Sequence, residues 1–251
     1  MNRFSSGIHP VREALRGGRP LDKVLIAKGA SGPRLQEIID LCRERNVPVR
    51  FEPREALDRL SKSAPHQGVI AFGAARQYAE LNDVVEGAKL LVILDGVEDP
   101  HNLGAIIRTA HAAGANAVIL PERRAAPLTE TVEKAAAGAL EYLPVARVTN
   151  VNQTIERLKQ SGFWIYGLDE RGSELYDQVE FSTPAAIVLG GEGKGLHQAV
   201  QTHCDVLVRI PMAGAVSSLN VSVAAGIVLF EWRRKNAGAA THVSAGQSAR
   251  K

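Results

Sequence analysis

Cysteine is nearly absent from this chain: Cys42 and Cys204 are the two it has in 251 residues. They lie far apart and form neither a Cys-x-x-Cys pair nor a zinc-ligand spacing. They read as small buried apolar residues of a reducing compartment. The seven histidines show no His-x-x-x-His and no His-Glu-x-x-His, so no metal site is expected. No apolar run reaches the ~18 residues of a membrane span, so none is expected. The N-terminus lacks the apolar stretch of a secretory leader. A transit peptide stays open, because no acid precedes Glu13, although these residues already read as part of a domain. A cytoplasmic protein is the expectation.

What is present suits a folded core. Hydrophobic residues make up 45% and charged residues 23%, enough for one large or two modest domains. The net charge of +3 hides an asymmetry. Residues 1–76 hold 14 Lys/Arg against 8 Asp/Glu, and the remainder holds 16 against 19. A basic front beside a near-neutral back suggests a polyanion-binding module attached to a catalytic one.

The front reads as a small α/β domain over 1–76. Strands are predicted at KVLIAKG, VPVRFE and HQGVIAFG, and helices at RLQEIIDLCRERN and REALDRLSK. Residues 77–88 have few apolar anchors and read as a linker with one helical turn. From Lys89 to Asn236, strand and helix alternate. KLLVILDGV, NAVILP, VARVT, FWIYGLD, AAIVLGGE and DVLVRIPM are the strands. The helices are the stretch from Asp99 to Gly114, LTETVEKAAAGALEYL, NVNQTIERLKQSG capped by Asn150 or Asn152, GLHQAVQTHC, and a long last helix from Ser217. This pattern predicts an α/β fold with a parallel sheet covered on both faces. Residues 237–251 are small, polar and basic and read as a disordered tail.

Three segments follow strands, at the sheet edge where such folds bind ligands. They are LDGVEDPHNLGAIIRTA, IVLGGEGKGL and IPMAGAVSSLNVS. The second fails as a Walker A loop, since Lys194 is followed by Gly195 and not Ser or Thr. It fails as a dinucleotide fingerprint too, since its glycines alternate as Gly191, Gly193 and Gly195. What remains is a loop whose main chain can approach a ligand closely, with Glu192 in it. In the third segment Ser217 or Ser218 can cap the last helix, with Asn220 in its first turn near the positive dipole end. That helix is apolar almost all round, from Leu219 to Trp232, which predicts burial on several sides and hence a homodimer.

In this order and spacing, the three segments resemble the motifs of the SpoU (TrmH) branch of the SPOUT RNA methyltransferases. GIHPVREAL and HQGVIAF further resemble the RNA-binding N-terminal domain of bacterial 23S rRNA guanosine 2′-O-methyltransferases of the RlmB type. The resemblance spans nearly the whole chain except the tail. It implies S-adenosyl-L-methionine as cofactor, a C-terminal trefoil knot, and largely main-chain cofactor contacts around Gly190, Ile210 and Leu219. It implies 2′-O-methylation of a guanosine in the peptidyl-transferase loop of 23S rRNA, free or in a large-subunit precursor. The expected partners are that RNA and a second copy of the chain, with neither membrane nor DNA among them.

Methyl transfer to a ribose 2′-hydroxyl needs the hydroxyl placed on the methyl carbon and its proton drawn off. Asn102 can orient ribose or phosphate. In the family the residue matching Arg108 is proposed to activate the hydroxyl. A guanidinium resists deprotonation, so either a substrate phosphate shares the proton or Arg108 only positions and stabilises the alkoxide. Arg108 reaches a pocket at the helix start if the first turns are irregular around Gly104. Glu192, Ser218 and Asn220 match the second and third motifs and are assigned to holding substrate or Arg108. His101 reads as a turn residue. Ala137 stands where the family often has Ser or Cys, so no role is expected there. The alternatives are a tRNA ribose methyltransferase and a non-catalytic RNA-binding protein of the same fold. Binding through the basic front should weaken steeply with salt.

Overall fold

The computed structural model describes residues 3–61, 65–74, 76–193, 195–215 and 218–237. In the front domain β1 (Arg3–Ser6), α1 (Ile8–Arg16), β2 (Leu21–Ala27), α2 (Pro33–Glu44), β3 (Val49–Glu52), α3 (Arg54–Leu60) and β4 (Val69–Gly73) follow in turn. The sheet order is β1-β4-β2-β3, with β4 antiparallel to both neighbours and β2 parallel to β3. Alternation along β2 splits the core. Val24 and Ile26 pack with Val11, Leu15, Ile38 and Cys42, while Leu25 and Ala27 pack with Leu57 and Ile70. Strand β1 and helix α1 come in addition to the expected elements. Helix α1 carries Pro10 in its first turn, where a missing N–H costs no helical hydrogen bond. Burial pushes the Cys42 thiol up to about 11, and it is a packing residue.

The segment expected as a linker is packed on the second domain. Ala79 bridges in parallel to Ala146, the Tyr78 hydroxyl accepts from Leu128 N at 3.2 Å, and α4 (Leu81–Val85) buries Val84. Then come β5 (Leu90–Asp95), α5 (Pro100–Ala113), β6 (Ala117–Pro121), α6 (Glu130–Ala136), a 3-10 turn (Ala139–Glu141), β7 (Val145–Val148), α7 (Val151–Gln160), β8 (Trp164–Leu168), β9 (Glu174–Leu175), β10 (Ala185–Gly190), α8 (Gln198–Gln201), β11 (Val206–Arg209) and α9 (Val221–Asn236). Every pairing in the order β7-β6-β5-β10-β8-β11-β9 is parallel. One face of the sheet packs residues of α5, α6 and α9, and the other packs α4, α7 and α8. Strands β5 and β10 are buried along their whole length, which is why they read as unbroken apolar runs. Among the described residues, no helix is long and apolar enough to cross a membrane.

Three helices depart from expectation. The one predicted through residues 128–143 breaks at Ala137 (φ 49°) and Gly138 (φ 93°). A Cβ on Gly138 would lie 2.3 Å from Glu13 Cγ, so the break is where the front domain docks. The predicted helix from Gly195 to Cys204 shortens to α8. The last helix starts at Val221, capped by Asn220, whose side chain accepts from Ser222 N at 2.9 Å. Ser217 lies outside the described residues, as does the tail beyond Ala237. At α7 the cap is Asn150, which accepts from Gln153 N.

The two domains join through a polar seam. Ser5 and Ser6 of β1 donate to Glu133 and Glu130 of α6. Arg76 pairs with Glu141 and donates to Leu140 O at 2.6 Å, and Arg19 reaches Glu133 and Glu141 at 3.4 and 3.8 Å. Burial, offset by the two arginines, leaves the Glu141 carboxyl above its usual range. Two of the front domain's excess cations are therefore engaged inside the protein, while Arg34, Arg43, Arg45, Arg50, Arg54 and Arg59 face solvent.

Candidate active site

The carboxyl ends of β5, β8, β10 and β11 share one edge of the sheet, with Asp95 paired to Gly190 and Leu189 to Leu168. A cavity of about 550 Å³ opens there. Gly190, Ile210, Ser218 and Leu219 line it, together with Glu192 and Asn220. Glycine is needed at two points. A Cβ on Gly190 would stand 2.1 Å from the Gly195 carbonyl carbon, and one on Gly191 would stand 2.2 Å from Gly96 O.

Helix α5 begins with Asp99 as cap, accepting from His101 N at 2.8 Å, and Pro100 at the first helical position. His101 is thus helical rather than a turn residue. Asn102 lies in the first turn and is 8% exposed. Its amide nitrogen donates to Glu192 Oε1, and its amide oxygen accepts from Asn220 Nδ2 at 3.0 Å. A carboxylate can only accept, so the amide orientation is fixed at both ends. Asn220 Oδ1 in turn accepts from Ser222 N and Oγ. One polar chain therefore links all three motif segments.

Arg108 is not part of it. Helix α5 is continuous from Pro100 to Ala113, so the irregularity needed around Gly104 does not occur. Gly104 is instead the contact point with α6, where a Cβ would meet Ala135 Cβ at 2.4 Å. Six residues along a regular helix turn a side chain through about 240° and carry it about 9 Å. Arg108 is exposed, and no hydrogen bond or ion pair engages it among the described residues. It lies in an exposed stripe with His101, next to α9 where Thr109 meets Gly226. Helix α9 buries Val221, Ala225, Val228, Leu229 and Trp232 but exposes Val223 and Phe230 by about half.

Sequence reasoning missed two acids at strand ends, a position that is itself the signal. Asp169 follows β8. Its side chain is 1% exposed, and it accepts from Arg171 N, Nε and Nη2 and from Gln201 Nε2. Burial alone would raise its carboxyl, but these donors and the Arg171 charge hold it below the usual range. Asp95 ends β5 and accepts from both the main chain and the ring of His197, at 2.9 and 2.8 Å.

Residues 89–230 match the SpoU rRNA Methylase family, and residues 6–79 match the RNA 2′-O ribose methyltransferase substrate-binding domain. The chain belongs to the SpoU family of RNA methyltransferases. The Bacillus subtilis protein YacO, assigned by name to the TrmH family of tRNA/rRNA methyltransferases, is 43% identical over 235 residues, covering 91% of this chain and 94% of its own. The SpoU methyltransferase AviRb of Streptomyces viridochromogenes, solved with AdoMet, superposes with a TM-score of 0.81 at 26% identity, covering 94% and 91% of the two chains. An AdoMet-bound rRNA methyltransferase of Sinorhizobium meliloti gives 0.78 at 28% identity, covering 93% and 87%.

As a SpoU methyltransferase the protein uses S-adenosylmethionine, and the cavity fits it. Leu168, Leu189, Ile210, Leu219 and Val221 offer an apolar floor for a purine. The glycines at 190 and 191 leave main chain bare, and Asp169, Glu170 and Glu192 supply negative charge for a cationic ligand.

Proposed function

We propose that this methyltransferase modifies the 2′-hydroxyl of a guanosine in the peptidyl-transferase loop of 23S rRNA, in the cytoplasm. The observation that carries the methyl-transfer part of the reading is the Glu192–Asn102–Asn220 chain at the mouth of the cofactor cavity, and the front domain of the RNA 2′-O ribose methyltransferase substrate-binding type supports an RNA ribose as target. Bound S-adenosylmethionine supplies an electrophilic methyl group. The residues of the chain do the rest. Asn102, locked at both ends of its amide, gives the ribose a rigid neighbour. Glu192 keeps its second oxygen for a substrate donor, and Ser218 and Asn220 border the same opening. Gly190, Ile210 and Leu219 hold the cofactor through the main chain. The trefoil knot belongs to this reading, and the close backbone approaches of Gly190 to Gly195 and of Gly191 to Gly96 support it.

The homodimer belongs to it as well. Val223 and Phe230 on α9, flanked by the Arg108 stripe of α5, form one exposed face suited to a second copy. Arg108 then serves the partner's reaction centre, stabilising the alkoxide or sharing the proton with a phosphate.

The test is methyl transfer from labelled S-adenosylmethionine to unmodified 23S rRNA and, separately, to bulk tRNA. Ribose methylation is mapped by resistance of the linkage to alkali. A single methylguanosine in the peptidyl-transferase loop is expected. Label in tRNA alone would overturn the substrate, and cofactor binding without transfer to either RNA would point to a ribosomal precursor.

A further inference from the structure

Arg124 is an exposed residue in the loop after β6, and its backbone is left-handed at φ 58°. That conformation is uncommon for a residue with a Cβ, and such strain persists where the surroundings impose it. Here the constraint is visible. Arg124 Nη1 lies 3.0 Å from His197 Nε2, and His197 Nδ1 lies 2.8 Å from Asp95 Oδ2. A guanidinium only donates, so Nε2 must accept. The ring proton then sits on Nδ1 and is given to the Asp95 carboxylate.

The Asp95 side chain is 10% exposed and also accepts from His197 N at 2.9 Å. One carboxylate thus ties down both the end of the loop carrying Glu192 and the ring that aims Arg124. The His197 ring packs on Gly96, at the turn that also abuts Gly191. The guanidinium is therefore fixed relative to the Glu192–Asn102 pair, with most of its donors unspent and turned to solvent. Arg123 is exposed beside it, and Arg147 braces the same loop by donating to Glu122 O at 2.9 Å.

We propose that Arg124 grips an RNA phosphate near the target ribose, and that His197 is the positioning residue that aims it. The chemistry recognised is that of a phosphodiester. A planar fork of donors at a fixed distance from the reacting hydroxyl sets where along the strand the methyl group lands. The inference rests on the RNA methyl-transfer reading above.

The experiment compares wild type, Arg124→Gly, His197→Asn and His197→Gln in binding and methylating unmodified 23S rRNA over a salt series. Glycine accepts a left-handed φ without strain, so R124G removes the side chain without endangering the turn. R124G is expected to raise the RNA Kd and KM about tenfold, leave cofactor affinity and kcat unchanged, and lower the slope of log Kd against log salt by about one. H197N keeps a donor for Asp95 but offers Arg124 nothing, so it should reproduce most of the loss. H197Q puts an oxygen near the Nε2 position and should rescue it. An unchanged RNA Kd and salt slope in R124G, with wild type active, would overturn the proposal alone. A wild-type protein that binds cofactor but no RNA would overturn both this proposal and the reading beneath it.

Discussion

Asn220 Nδ2 donates to Asn102 Oδ1 over 3.0 Å, joining the head of α9 to the first turn of α5 across 118 residues of sequence. The two side chains should behave as one unit. Asn102→Ala and Asn220→Ala should each reduce methyl transfer strongly, and the double variant should lose little more. A coupling energy of about 1 kcal/mol or above is expected in a double-mutant cycle on kcat/KM. Asn102→Asp should be worse than Asn102→Ala, because it sets a second carboxylate against Glu192. Full additivity would refute the pairing.

Gly190→Ala places a methyl group where the Gly195 main chain already is. The 190–196 turn must open, at a cost of about 1–3 kcal/mol, and cofactor affinity falls with it. Calorimetric titration with S-adenosylmethionine and a thermal melt read the two effects. Gly193→Ala meets no protein atom within 4 Å but has a left-handed φ, so it should cost only about 1 kcal/mol in the melt.

Asp169 is held ionised by Arg171, Gln201 and main-chain donors against the pull of burial. A depressed folded pKa means stability present above the ordinary carboxylate range and lost as pH falls through the folded value. Asp169→Asn should cost about 1–2 kcal/mol at neutral pH and flatten the acid limb of the stability curve. Denaturant melts from pH 7 down to pH 3 check this; parallel curves for the two proteins would contradict it.

The domain seam gives the opposite sign. Burial leaves the Glu141 carboxyl raised even with Arg76 beside it. Removing the cation in Arg76→Met should cost about 2–3 kcal/mol near pH 8, less than a fully orphaned charge because Arg19 stays 3.8 Å away. As pH falls through the folded pKa, Glu141 takes up a proton and the deficit shrinks. A deficit independent of pH would show that Glu141 carries no charge at the seam.

Phe230→Glu and Val223→Glu should yield monomers in sedimentation that still bind cofactor but transfer no methyl groups. Mixing Arg108→Ala with Asn102→Ala chains then tests whose site Arg108 serves. A dimer of the two has one centre with both residues intact if Arg108 acts on its partner, so activity appears that neither variant shows alone. No recovery would return Arg108 to its own chain.

Sheet and motifs were readable because their causes are local. A strand buried on both faces, such as β5 or β10, must be apolar throughout, and the three motif segments each follow one. The break at Ala137–Gly138 had a local signal in Gly138, which takes a left-handed backbone that can end a helix; that Glu13 of the other domain packs against it was not readable. The start of α9 was expected at Ser217 or Ser218 with Asn220 in the first turn; the cap is instead Asn220, the residue that also reaches Asn102. Arg124 and His197 are 73 residues apart, and only the parallel order of β5, β6 and β10 brings them together. Arg108 shares a motif with Asn102 but, six residues on along an unbroken helix, is turned away from the cavity of its own chain, a direction that motif membership does not reveal.

Helix α9 completes the polar cluster and anchors itself to the body at both ends. Its first residues supply Asn220 and Ser222, and its last turn clasps the body through Arg233 on Ala113 O and Lys235 on Val179 O. A variant cut before Asn220 would keep the eleven described strands but lose one member of the Glu192–Asn102–Asn220 chain. The polar cluster at the cavity mouth is thus assembled by tertiary docking: it exists only while the head of α9 is seated on α5.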